Sequence, residues 1–173
     1  MSELPVTEKL FIEGLASYLD VRRCLTVFEQ RIQAECVEVL KCRAEELRQK
    51  LGAPNASDAP DPYVLAYENG TEIGAGIWNN DHYICIGVLW ENEMRVRAYA
   101  SRYAGGKKVA NHVYNIIRVP GMIREDGEDG WYLTVYEELQ EHSKKSLIKG
   151  LTSALHKWLK IGKTFADERK KFR

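Results

Sequence analysis

Long apolar runs are missing from this chain. No stretch approaches the roughly 18 consecutive hydrophobic residues that a membrane-spanning helix needs, so no membrane span is expected in its 173 residues. Met1 to Thr7 carries no basic stretch leading into an apolar segment, the pattern of a secretory signal. The sequence holds no P-loop, no GxGxxG and no GxSxG. The closest glycine cluster, Gly70, Gly74 and Gly76, falls in a stretch of strand character and does not open a helix. Cysteines number four, at positions 24, 36, 42 and 85, and none sits in a CxxC. Three of them fall in one helical stretch, where side chains at these separations cannot bridge each other. They read as reduced thiols, which points to a cytoplasmic setting. The four histidines show no mutual metal-ligand spacing. These absences leave no expected cofactor, metal ligand or catalytic residue.

What is present is the composition of a folded domain, with 45% hydrophobic and 29% charged residues and a formal net charge of zero. That zero conceals a gradient. Residues 1–52 carry eight basic and nine acidic groups, residues 53–142 seven and fourteen, and residues 143–173 ten and two. A basic C-terminus after an acidic middle suits either a helix lying on an acidic surface of its own chain or a tail for an acidic partner.

The first periodic segment runs from Thr7 to Leu51. Phe11, Leu15, Tyr18, Val21, Leu25, Phe28, Ile32, Cys36, Val39, Leu40 and Leu47 are spaced mostly by three and four, the period of one helical face. Thr7 is a candidate N-cap and Gly52 with Pro54 a candidate stop. A helix of that extent is longer than a small domain is wide, so it either bends, with Gly14 a candidate, or offers its stripe to a partner. Residues 53–62, APNASDAPDP, read as a linker.

Strand signals follow. Asn69–Gly70 marks a hairpin between YVLAYE and TEIGAGIW, and Asn79 to Asp81 a second turn. YICIGVLW, Tyr83 to Trp90, suits a central strand covered on both faces. From Met94 onward apolar residues alternate with Arg95, Arg97, Tyr99, Ser101 and Tyr103, a half-buried strand whose second face is exposed. Residues 107–119 fit a helix or a strand, with the last part leaning toward strand. Pro120 to Gly130 reads as a long acidic loop, Trp131 to Tyr136 as a strand. Ser143 caps a closing helix with Leu147, Leu151, Leu155, Trp158 and Leu159 on one face, ended by Gly162 and followed by a short basic turn. The expected class is α+β: a long N-terminal amphipathic helix (1–52), the linker, and a unit at 63–173 in which a mainly antiparallel meander of four to six strands carries the C-terminal helix on the sheet.

Two function classes compete. The over-long stripe and the aromatics Trp78, Trp90, Tyr99, Tyr103 and Trp131 favour a non-enzymatic protein-interaction or regulatory module, with a protein partner or a homodimer held through the first helix. Arg95, Arg97, Tyr99, Arg102, Tyr103, Lys107 and Lys108 form the candidate binding set. Arginines beside aromatic rings grip phosphates while bases stack, so a nucleic-acid binder is the alternative, through this strand or through the basic C-terminus at Lys163, Arg169, Lys170, Lys171 and Arg173. A metal-dependent nuclease variant would use Asp81, Glu91 and Glu93 at strand ends, although an arginine after Glu93 is a poor proton donor and acceptor. The run Glu125 to Gly130 lacks EF-hand spacing and reads as a plain acidic turn. His82 and Cys85 are three apart, so a regular strand points them to opposite faces.

Overall fold

In a computed structural model the backbone is described for residues 8–43, 46, 63–66, 72–79, 82–90, 96–141 and 143–172. The elements, in order, are α1 (Glu8–Cys42), β1 (Tyr63–Ala66), β2 (Glu72–Asn79), β3 (His82–Trp90), β4 (Val96–Gly105), α2 (Lys107–Ile116), β5 (Met122–Gly127), β6 (Gly130–Glu138) and α3 (Lys144–Lys170). The class is α+β. One six-stranded sheet runs β1-β2-β3-β4-β6-β5, with every ladder antiparallel. β1 to β4 form the meander. The chain then crosses through α2 to the sheet edge as β5 and returns as β6 into the place beside β4.

Period-two alternation divides the sheet into two faces. Ile73, Ala75 and Ile77 of β2, Ile84, Ile86 and Val88 of β3, Ala98, Ala100 and Ala104 of β4, and Leu133 and Val135 of β6 belong to the main core. Helical residues complete it. α3 contributes Leu151, Ala154, Leu155, Trp158, Leu159 and Phe165, α2 contributes Ala110 and Val113, and the end of α1 contributes Ile32, Cys36, Val39 and Leu40. The small alanines of β4 leave room for the bulk of α3. Gly150 sharpens this fit: a Cβ there would stand 2.9 Å from the Ala98 Cβ and 2.6 Å from Leu139. Trp158 uses the space, its indole Nε1 donating to the Ala100 carbonyl at 2.6 Å, which satisfies the one polar atom of an otherwise apolar side chain.

Ser143 does cap α3, its hydroxyl accepting from the Ser146 amide at 3.2 Å. Gly162 does not end it. The helix continues to Lys170 because Phe165, one turn on, is fully buried and meets Trp158 edge-on at 5.7 Å. Packing of that extra turn outweighs the roughly 1 kcal/mol that glycine costs inside a helix. Residues 107–116 resolve as helix, with Ala110 and Val113 buried on one side, and the stretch after it is not a strand. The acidic stretch after Pro120 is largely strand, since Gly127 pairs with Gly130 and leaves only Glu128 and Asp129 as the turn. Part of the charge gradient is met within the chain: Lys157 pairs with Glu137 and Lys144 with Glu35.

The chain groups into two compact units, residues 1–31 and 32–173, so the larger one begins inside α1. Gly14 lies within a continuous helix. The Thr7 cap, the Gly52–Pro54 stop, the linker 53–62 and the Asn69–Gly70 turn lie outside the described residues.

Candidate protein-interaction surface

α1 carries one apolar face with two fates. At about 100° per residue, Tyr18, Val21, Leu25, Phe28, Ile32, Cys36 and Val39 fall within one side of the helix. Ile32, Cys36, Val39 and Leu40 are buried in the core of the larger unit. Upstream, Leu15, Tyr18, Val21, Leu25 and Phe28 are 47–59% exposed. Ile12, Leu19 and Val27 are exposed as well, off this face. Exposed single hydrophobes are ordinary on a protein surface, whereas a contiguous set at helical spacing marks a contact surface. At the edge of this face stand two charges seven residues apart, Arg22 and Glu29.

The seven residues of the candidate basic set do not share one surface. Arg95 lies outside the described residues, as do Asp81, Glu91 and Glu93 and the side chain of Trp78. Arg97 is half-buried, pairs with Glu138 through Nε at 2.6 Å and lies 5.6 Å from the Tyr136 ring centre. Tyr99 and Arg102 were expected to be accessible. Both are 1% exposed, and they point to opposite faces of β4. Tyr103 is half-buried, at 5.6 Å from Tyr132. Lys107 and Lys108 open α2 and are exposed, with Lys107 5.3 Å from the Trp131 ring centre. The C-terminal cations are partly engaged: Lys171 with Glu168 at 2.7 Å, Lys170 with Asp167 at 3.6 Å, and Arg169 above the Tyr103 ring at 5.3 Å. Trp90 and Trp131 pack against the main core.

The reason Tyr99 is covered is the second sheet face, which sequence alternation alone does not reveal as a closed surface. Cys85 and Tyr99 are buried there by Leu89, Tyr103, Tyr132 and Tyr136, all from strands. Two carboxylates cross this tyrosine layer. Glu125 accepts from the Thr134 hydroxyl and, at 2.5 Å, from the Tyr136 hydroxyl, and Thr134 in turn meets Ser101 at 2.8 Å. Burial holds the Glu72 carboxyl above the usual carboxylate range, with the neighbouring Tyr99 hydroxyl opposing the shift and the charge of Glu125 adding to it. Tyr136 is pushed far above an ordinary phenol by burial and then by Glu125. The Thr134 and Tyr136 hydroxyls are donors satisfied by Glu125, a rigidifying network rather than an activated acid–base pair. Glu125 escaped the sequence reading because it stands in an acidic run that resembles a loop. The signal that identifies it is the alternation Ile123, Glu125, Gly127.

All four cysteines are free, Cys36 and Cys85 buried, Cys24 and Cys42 exposed. Burial drives the Cys36 thiol up to about 12, so it is an inert core group. Cys85 donates weakly to the Ser101 carbonyl at 3.8 Å. Among the described residues no group of three or more His, Cys, Asp or Glu side chains has the geometry of a metal site, and no helix is long and apolar enough to cross a membrane.

Comparison with protein-family models, with curated proteins and with solved structures finds no match to this chain.

Proposed function

We propose that this chain is a protein-interaction module that pairs with a second copy of itself through the exposed part of α1. The observation that carries the proposal is the stripe of Leu15, Tyr18, Val21, Leu25 and Phe28, exposed on the same helix face that the core buries from Ile32 to Leu40. A face whose second half is core-grade in composition is suited to burial along its first half too.

Charge placement supports a second copy as the occupant and an antiparallel direction for it. A two-fold axis crossing α1 between Leu25 and Thr26 brings Arg22 of each copy beside Glu29 of the other. Parallel, in-register pairing would instead stack Arg22 on Arg22 and Glu29 on Glu29, which is disfavoured. The closed, isologous antiparallel pair is the arrangement these charges favour.

A charge-reversal cycle tests this reading. Arg22→Glu is expected to weaken self-association roughly tenfold, since an exposed pair is worth about 0.2–1 kcal/mol, occurs twice by symmetry and becomes repulsive. Arg22→Glu combined with Glu29→Arg is expected to restore it. Equal affinity in all three proteins contradicts the antiparallel arrangement, and a heterologous protein that binds the stripe while the chain stays monomeric assigns the surface to another partner.

A further inference from the structure

One side of α3 covers the sheet, and the other carries a row of charge that the fold does not use. Between Lys144 and Ala166 the helix holds six lysines and no acidic residue. Two of those lysines meet acidic groups of the chain, Lys144 at Glu35 and Lys157 at Glu137. The other four, Lys145, Lys149, Lys160 and Lys163, are exposed, and so is His156. Among the described residues, none of these five side chains has an ion-pair or hydrogen-bond partner.

The helical period aligns them. At about 100° per residue, positions 145, 149, 156, 160 and 163 fall within about 60° of one another. At about 1.5 Å per residue the resulting line is roughly 27 Å long. Leu151, Leu155, Trp158 and Phe165 occupy the opposite side of the helix and are buried in the core, which fixes the row outward. Like charges three and four positions apart on one helix face repel each other. Lys145 with Lys149, and Lys160 with Lys163, are such pairs, and an external anion relieves the repulsion.

We infer that this row is a docking line for the sugar–phosphate backbone of a nucleic-acid duplex. Ammonium groups are point charges that meet phosphates without reading bases. The row holds no aromatic ring, so it lacks the platform on which a single strand stacks its bases. It holds no apolar side chain either, so it lacks the anchor by which an amphipathic helix enters a lipid interface. A duplex carries about one charge per 1.7 Å of its axis and a condensed layer of counterions. Four ammonium groups on a straight line displace those counterions, a gain that the sparser carboxylates of an acidic protein do not offer. The chain has no net charge, so contact rather than long-range steering holds the complex, and the contact is independent of base sequence. The row shares no residue with the α1 stripe. Of the cations singled out in the sequence, only Lys163 belongs to it.

The test uses the full chain and an end-labelled DNA duplex of about 20 base pairs, with fluorescence anisotropy read over a range of salt concentrations. Wild type is expected to bind saturably at low salt. Four phosphate contacts give a log–log salt slope of about −3.6, so affinity is expected to fall about a hundredfold between about 50 and 200 mM salt. Lys149→Gln combined with Lys160→Gln is expected to reduce the slope by about 2 and to weaken binding at least tenfold at about 50 mM salt. Lys149→Arg combined with Lys160→Arg keeps the charge and is expected to keep both values. Lys41→Gln, at an exposed position of α1, is expected to change neither beyond the loss of one remote charge. These positions are exposed, so the unfolding midpoint of each variant is expected to match wild type. No binding of the duplex at low salt overturns the inference. So does a slope that the double glutamine variant leaves unchanged. Tighter binding of the single strand, of phosphatidylserine vesicles or of poly-glutamate, lost in that variant, assigns the row to that partner and overturns the duplex.

Discussion

Gly87 and Gly74 face each other across the β2–β3 ladder, and the tyrosine layer rests on that gap. A Cβ at Gly87 would stand 2.7 Å from the Tyr99 hydroxyl oxygen and 2.6 Å from the Ile73 carbonyl oxygen. Backbone cannot yield as a side chain can, so Gly87→Ala is expected to destabilise the protein by about 1–3 kcal/mol, the usual cost of overpacking. Urea unfolding measures this; an unchanged midpoint would show that Tyr99 is not seated on Gly87. Glu72, beneath the same layer, gives a pH signature. Burial first and Glu125 second hold its pKa above the unfolded value, with Tyr99 opposing them. The folded state therefore keeps this proton longer than the unfolded one, and the associated stability is complete below the unfolded pKa and lost as pH rises through the folded pKa. Glu72→Gln is expected to gain stability over wild type at pH 7 and to show no gain below about pH 4, where both carboxyls are protonated. A difference that is the same at both pH values contradicts the assignment.

Among the elements, α1 and the start of α3 were the most legible in the sequence and the sheet edge β5 the least. The α1 stripe is a local pattern, spaced by three and four, and needs no partner to be read. The same holds for the Ser143 cap. Ser143→Ala is expected to cost about 1 kcal/mol, because the Ser146 amide then loses its acceptor. A loss under a few tenths of a kcal/mol in chemical denaturation would mean solvent replaces the cap. Elsewhere, local pattern misleads. Gly162 reads as a stop, yet burial of Phe165 against Trp158 carries α3 past it, and that contact is invisible one residue at a time. β5 reads as a loop because Glu125, Asp126 and Glu128 are acidic, while hydroxyls from β6 make a strand position acceptable for Glu125. Arg102 shows both limits. Alternation correctly sets it on the face opposite Arg97 and Tyr99, but its burial depends on α3, about sixty residues away in the chain.

At the scale of the whole molecule, two kinds of surface meet in one helix. From Ile32 to Leu40 the α1 face is spent inside the larger unit. From Leu15 to Phe28 the same face is open, although its residues are of the same kind. The sheet offers no comparable apolar surface among the described residues: its helix-covered face is core, and its other face is closed by tyrosines, of which Tyr136 is held by Glu125. The residues of the open stripe are therefore not spent in the core of the larger unit. A stripe variant is expected to lose association and keep its structure. Sedimentation equilibrium over a wide concentration range is the most direct test, run on wild type and on the double variant Leu25→Asp, Phe28→Asp. The account predicts a wild-type mass that rises with concentration to twice that of the chain, and a variant that stays monomeric with unchanged helical content by circular dichroism. A wild type that remains monomeric throughout, or a variant that still dimerises, would contradict it.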